Sequence, residues 1–190
     1  MKEKSNPVQT ENTYIFNIEK AGAADITRLA EMINRCYRGE ASKQGWTTEA
    51  DLIAGEIRTD EDNLSEIMAN DAATILKCSH ATAGIVGCVY LEKKGARLYL
   101  GMLSVELAWQ ASGIGKRLLL AAEVHARSLG CGAIFMRVIP VRSSLMDWYE
   151  RHGYLPTGER MPFDGDPKYG VPRVPLEFVI LEKKMEGMEN

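Results

Sequence analysis

The chain reads as one α/β (α+β) domain built on a largely antiparallel sheet flanked by helices. Three observations predict it: helical periodicity early in the chain, three extended runs joined by very short links in the middle, and strands alternating with helices thereafter. With 190 residues, 45% hydrophobic and 26% charged, the sequence can bury one substantial core and is short for two. The expected organisation is a polar leader over 1–13, one domain over 14–184 and a short tail over 185–190.

Tyr14 to Lys20 alternates Tyr14, Phe16 and Ile18 against Ile15, Asn17 and Glu19, which predicts a first strand. From Asp25, a good N-cap, Ile26, Leu29, Ile33, Cys36 and Tyr37 recur at helical spacing until Gly39. Gly45 to Glu49 reads as the entry to another helix, capped by a threonine and carrying Leu52, Ile53 and Ile57, with a further turn or two around Leu64, Ile67 and Met68. Ala73–Ser79, Ile85–Glu92 and Ala96–Val105 are β-rich, and links as short as Lys93-Lys94-Gly95 imply an antiparallel meander. The third run is apolar on nearly every residue, as a strand covered on both faces should be. Ile114, Leu118, Ala122, His125, Ala126 and Leu129 then mark one face of a helix over Gly113–Leu129, with Gly130 as its C-terminal cap. A strand over Ala133–Ile139 stops at Pro140, and Ser143 or Ser144 can cap a helix that Gly153 ends. Tyr154–Arg160 and Leu176–Leu181 form a last strand pair around a loop rich in proline and glycine, Met161–Pro175.

Composition removes several function classes. A formal net charge of -3 gives no global basic field for phosphate neutralisation, so no nucleic-acid partner is expected. Cys36, Cys78, Cys88 and Cys131 form no C-x-x-C pair and sit in apolar company, which suits buried free thiols. His80, His125 and His152 share no metal-like spacing, so no metal site is expected. No apolar run approaches the ~20 residues that span a bilayer, and the start is polar, so the expectation is a cytoplasmic protein with no membrane partner.

The chemistry concentrates in Gln110-Ala111-Ser112-Gly113-Ile114-Gly115-Lys116, between an apolar strand and an amphipathic helix. Backbone N–H groups at such a helix start favour an anion, and glycines let the backbone approach it closely. A Walker-type loop fails, because Gln110 stands where its first glycine belongs and Arg117 where its Ser or Thr belongs. A G-x-G-x-x-G dinucleotide fingerprint fails as well, because Leu118 replaces its third glycine and the preceding strand ends a meander. What remains is [RQ]-x-x-G-x-[GA], and this segment resembles the pyrophosphate loop of the GNAT superfamily of N-acetyltransferases.

Features outside the loop agree with that resemblance, which runs from about Tyr14 to Leu181. Met102-Leu103-Ser104-Val105 precedes the loop at the distance the family shows, and Trp148-Tyr149-Glu150-Arg151-His152-Gly153-Tyr154 looks like its aromatic-rich "Y-E-x-x-G-[FY]" ending. The resemblance implies a GNAT-like mixed, mostly antiparallel splayed sheet, opening between Ala96–Val105 and Ala133–Ile139. It implies acetyl-CoA (coenzyme A) as cofactor and direct transfer of an acetyl group to a primary amine on a small-molecule or peptide acceptor, by a monomer or homodimer. Leu103, Ser104 and Val105 would contact the pantetheine arm, and Gln110, Ala111, Ser112, Gly113, Ile114, Gly115 and Lys116 the phosphates. Many members carry an asparagine in the turn where this chain has Ile139 or Arg142, so Arg142 is assigned to a phosphate, with Ser143 beside it. Tyr149, which by composition alone is a packed helix tyrosine, becomes the general acid for the departing thiolate. Glu106 is the first choice of base, its alternative being a solvated carboxylate at a strand end. Tyr37, Trp46 and Glu49 are candidates to line an acceptor pocket. The competing readings are a non-catalytic acyl-CoA-binding regulatory module and a nucleotide-binding protein using the same loop.

Overall fold

The computed structural model describes residues 16–185. Of the predicted first strand, Tyr14 and Ile15 fall outside the described residues, and β1 spans Phe16–Lys20. A 3-10 turn over Ala23–Asp25 leads into α1 (Ile26–Tyr37), which buries Leu29, Ile33 and Cys36 along the stripe their spacing predicts. Asp25 does not cap α1. Its carboxylate accepts from the Gly22 N–H at 2.8 Å and pairs with Lys77 at 2.8 Å.

After the single turn of α2 (Gly39–Ser42), the predicted threonine-capped helix does not form. Tertiary contacts take the side chains that would have started it. Thr47 Oγ1 donates to the Cys36 carbonyl at 3.1 Å, Thr48 Oγ1 lies 2.7 Å from Ser42 Oγ, and Glu49 is drawn onto Arg38 at 2.6 Å. One turn survives, closed by the Ile53 N–H on the Glu49 carbonyl at 2.9 Å, before the two-residue strand β2 (Ile53–Ala54). The next helix, α3 (Glu61–Ala69), is capped by Asp60, which accepts from the Asn63 N–H at 2.9 Å, and it buries Leu64.

The meander then follows as β3 (Ala73–His80), β4 (Gly84–Lys94) and β5 (Arg97–Val105). Beyond it come α4 (Ile114–Ser128), β6 (Ala133–Val138), α5 (Ser143–Arg151), β7 (Leu155–Pro162), β8 (Val171–Pro172) and β9 (Glu177–Lys184). Gly130, at φ +68°, ends α4 as expected. Neither Ser143 nor Ser144 caps α5. Arg142 holds the N-cap position without a side-chain cap, its guanidinium donating to the Trp46 carbonyl at 2.9 Å. The predicted Pro/Gly-rich loop includes β8, which pairs with β2.

Seven strands form the main sheet in the order β1-β3-β4-β5-β6-β9-β7, and every contact in it is antiparallel except β5 with β6. α4 and α5 cover one face, on Val86, Val89, Leu98, Leu100 and Leu103. On the other, α1 and α3 cover Ile75, Ile85, Cys88 and Met102. Leu98, Leu100 and Leu103 share the first face and Met102 lies on the other, so the alternation of a strand with both faces buried shifts phase at Met102.

Two irregularities of β5 position the site. Between the pairs Tyr90–Gly101 and Cys88–Ser104, β5 advances one residue more than β4, and Met102 takes φ +46°. This is a β-bulge, and it turns the end of β5. On its other edge, β5 pairs with β6 only over Arg97–Tyr99 against Ala133–Phe135, so the strands part beyond that point. The sheet therefore splays where the resemblance implies.

Candidate functional site

The segment leaving the bulged strand braces itself through side chains. Gln110 donates from Nε2 to the Val105 carbonyl at 3.0 Å and accepts the Trp46 N–H on Oε1 at 3.1 Å. Ser112 Oγ donates to the Trp109 carbonyl. Trp109 packs on His80 and Phe16, with ring centroids 4.5 and 5.7 Å away. With the side chains so used, the backbone does the presenting. Ala111 at φ +61° and Gly113 at φ +82° alternate with Ser112, which turns successive amides toward one concavity. The first bond of α4 runs from the Arg117 N–H to the Gly113 carbonyl at 3.0 Å, and among the described residues the amides of Ala111 to Lys116 meet no protein acceptor. Fifteen residues of aligned helix place a positive dipole end behind them.

These amides border a cleft of about 180 Å³. Leu103, Val105, Gln110, Ala111, Gly113, Ile114, Gly115 and Lys116 line it from the β5–α4 side, and Trp46, Thr47, Leu145, Trp148 and Tyr149 face them. Gly115 is helical rather than turned. Its use is spatial: a Cβ there would stand 3.3 Å from the Trp148 ring. The lining is mostly apolar beyond the amides, the character of a slot for a ligand with an anionic end and an uncharged arm.

A second cavity, of about 310 Å³, fills the split between β5 and β6. Tyr99 to Leu103 and Met136 to Ile139 form its walls, Tyr37, Arg38, Glu49 and Arg58 close one side, and Phe163 to Asp166 with Tyr169 and Gly170 cross it as a strap. The strap is tied down at several points. Arg173 N–H donates to the Leu52 carbonyl at 2.9 Å, Arg38 donates to the Tyr169 carbonyl at 3.0 Å, and Lys168 Nζ sits 2.6 Å from Asp60. Gly170, at φ +127°, is needed for this approach, since a Cβ there would fall 2.4 Å from Ile53 Cγ2.

Leu103, Leu145 and Tyr149 line both spaces, so the two meet there. Tyr149 is buried, and its hydroxyl makes no hydrogen bond among the described residues. Burial pushes its pKa up to about 12 against the opposing pull of the Arg142 charge. Tyr37, whose pKa burial also raises, donates its hydroxyl to the Leu103 carbonyl at 3.1 Å and so steadies the bulge.

The structure redistributes the remaining predicted residues. Glu106 lines neither space. One of its oxygens accepts from Arg28 at 2.9 Å and Arg35 at 2.6 Å, so a carboxylate already committed to two guanidiniums is no base at the junction. Ser104 is buried with Oγ donating to the Met102 carbonyl at 3.0 Å, Ser112 is held by Trp109, and Ser143 is exposed outside both spaces. Arg142 points into the second cavity rather than at the loop, 3.6 Å from Glu49. Of the acceptor candidates, Tyr37 and Glu49 line the second cavity and Trp46 the first. Arg38, Arg58, Trp109, Leu145 and Trp148 join the site without having been expected there. No local pattern marks the two arginines, whereas Trp148 stands beside Tyr149 in the aromatic-rich motif.

A split sheet with an anion cradle on one side and a polar cavity on the other, joined at a tyrosine whose hydroxyl has no hydrogen-bond partner among the described residues, is the layout of a group-transfer enzyme. The chain belongs to the Acetyltransferase (GNAT) family, whose profile matches residues 27–154, and it is an acyltransferase. No curated protein matches it significantly in sequence. Among solved structures it is similar to yncA, a putative acetyltransferase of Salmonella typhimurium with its cofactor acetyl-CoA, at 17% identity, TM-score 0.66, over 92% of this chain and 96% of that one. The ribosomal-protein-S18-alanine N-acetyltransferase of Escherichia coli aligns at 10% identity and TM-score 0.69, over 93% and 97% of the two chains. PaiA N-acetyltransferase of Thermoplasma acidophilum, in complex with coenzyme A, aligns at 20% identity and TM-score 0.62, over 89% and 98%. At these identities the likeness is one of fold.

Proposed function

We propose that the chain transfers the acetyl group of acetyl-CoA to a primary amine by direct attack, across the junction at Leu103 and Tyr149. The observation that carries this reading is the pair of spaces sharing that junction, one bordered by unpaired helix-start amides and one lined by polar side chains. The residues present fit the donor: six consecutive amides without an acceptor suit a diphosphate, and the apolar cleft beyond them suits an extended arm. Acetyl-CoA, when bound, supplies the acetyl group activated as a thioester.

The chain's own residues would do the rest. The loop amides, the start of α4 and Lys116 hold negative charge. Beyond Tyr99 the β6-facing edge of β5 has no ladder partner among the described residues, so a backbone N–H near Leu103 is available to align and polarise a carbonyl. Tyr149 stays protonated across the physiological range and hands a proton to sulfur as it leaves, and the proton shed by the attacking nitrogen, passed through solvent, restores the hydroxyl. No free carboxylate is needed to deprotonate the acceptor. Three guanidiniums, of Arg38, Arg58 and Arg142, lie within 2.6, 3.8 and 3.6 Å of Glu49, and this excess of positive charge favours the neutral amine over the ammonium. The test is thiol release from acetyl-CoA across amines, amino acids and peptides, alongside calorimetry with CoA, ATP and NAD. Amine-dependent release is expected. CoA binding with no release by any acceptor would leave a binding module, and ATP or NAD binding without CoA would overturn the donor.

A further inference from the structure

The charge pattern of the polar cavity, taken together with acetyl transfer to an amine, narrows the class of acceptor. On one side of the cavity a single carboxylate, Glu49, stands among three guanidiniums, of Arg38, Arg58 and Arg142. The Arg38–Glu49 pair is the buried base of this cluster, the Arg38 side chain being 3% exposed. Arg38 Nε is buried and has no hydrogen-bond partner among the described residues. Arg142 is satisfied only on one side, by the Trp46 carbonyl, and meets Glu49 beyond hydrogen-bond distance at 3.6 Å. Arg58 touches Glu49 only at 3.8 Å through Nε. Of the other acids in the lining, Asp164 pairs with Arg137 at 2.8 and 3.0 Å, and Asp166 accepts the Lys168 N–H at 2.8 Å and keeps its charge, so four guanidiniums face three carboxylates and one positive charge is in excess.

We propose that the acceptor is a small amine bearing an oxyanion, a carboxylate or phosphonate, which sits on Arg58 and Arg142 while its amine reaches toward Tyr149; this rests on the acetyl-transfer reading of the same site. Guanidinium forks match such planar or tetrahedral oxyanions, and Arg142, whose side chain is 11% exposed, gains a partner for its charge when one arrives. The size agrees. Arg142, at the N-cap of α5, and Tyr149 both line this cavity, so one small molecule can meet the two together. A space of about 310 Å³ corresponds to about ten water molecules, so the acceptor has about that many non-hydrogen atoms.

The experiment is calorimetry on the full chain saturated with CoA, titrated with pairs that differ only in charge: an amino acid against its amide, and an aminoalkyl phosphonate against a diamine of equal length. Acids and phosphonates should bind at least about ten-fold more tightly than their uncharged or cationic partners. Arg58→Gln should remove about that preference while CoA affinity holds, and Arg58→Lys should restore part of it. Amides or diamines binding as well as the acids, or no acid binding at millimolar concentration, would overturn the proposal while leaving the donor reading intact. If CoA itself fails to bind, the donor reading falls, and the same titration of the free chain still decides the anion preference.

Discussion

Replacing Gly115 by Asp separates the cradle's electrostatics from its structural role, because the two effects have opposite signs. Gly115 is the second residue of α4, after the N-cap Gly113. A carboxylate in the first turn favours the helix by about 0.3–1 kcal/mol, and exchanging a helical glycine for aspartate adds about 0.1–0.3 kcal/mol. Against this, the new Cβ would stand 3.3 Å from the Trp148 ring, which must yield by a few tenths of an ångström. The melting temperature should therefore hold or rise. Binding should do the reverse. Taking about 6 Å between the new carboxylate and a diphosphate, repulsion is about 0.7–3 kcal/mol for each pair of charges as the effective dielectric falls from 80 to 20. CoA affinity should drop at least about ten-fold. Gly115→Asn carries the same steric demand without the charge, so the Asp-to-Asn difference isolates electrostatics. That difference should shrink with added salt, since the screening length is only about 8 Å at physiological strength. Calorimetry with CoA, paired with thermal melts, reads both quantities. Equal CoA affinity for the Asp and Asn variants would refute the claim that this turn holds the diphosphate.

The other expectations concern the junction and the polar wall. Tyr149→Phe should lower turnover about 10²-fold or more while CoA affinity and melting temperature barely move, because the lost hydroxyl has no protein partner; with the pKa at about 12, no loss of activity traceable to this group should appear on the alkaline side below about pH 11. Glu49→Ala should cost about 3–5 kcal/mol in denaturant unfolding, since it leaves Arg38 charged and buried without its partner at 2.6 Å, and a cost under 1 kcal/mol would show that the pair contributes little. Burial pushes the Cys36 thiol up to about 12 and also raises Cys88, so both should resist alkylation in native protein at pH 8 and react on unfolding, as peptide mapping would show.

What the sequence made legible divides along the same junction. The donor side was readable because it is local. β5, the turn through Gly113 and the first turn of α4 are contiguous, so spacing alone places amides, glycines and dipole together. The meander was readable for the same reason, its links being too short for any other pairing. The acceptor side is assembled from segments far apart: Arg38, Glu49, Arg142 and Tyr169 converge across as many as 131 positions. No periodicity records such a meeting. It also explains the missing helix after Gly45. Thr47, Thr48 and Glu49 carry good local signals, yet each spends its side chain on a partner in another element. Local propensity fails here where polar residues are recruited to build a cavity, and those failures cluster around Glu49. Glu49 leaves a predicted helix start for a buried pair with Arg38, and such a pair persists only where its surroundings offset the desolvation. Around Glu49 the surroundings are guanidiniums in excess, which is why the wall that broke the sequence reading is also the wall expected to choose the acceptor.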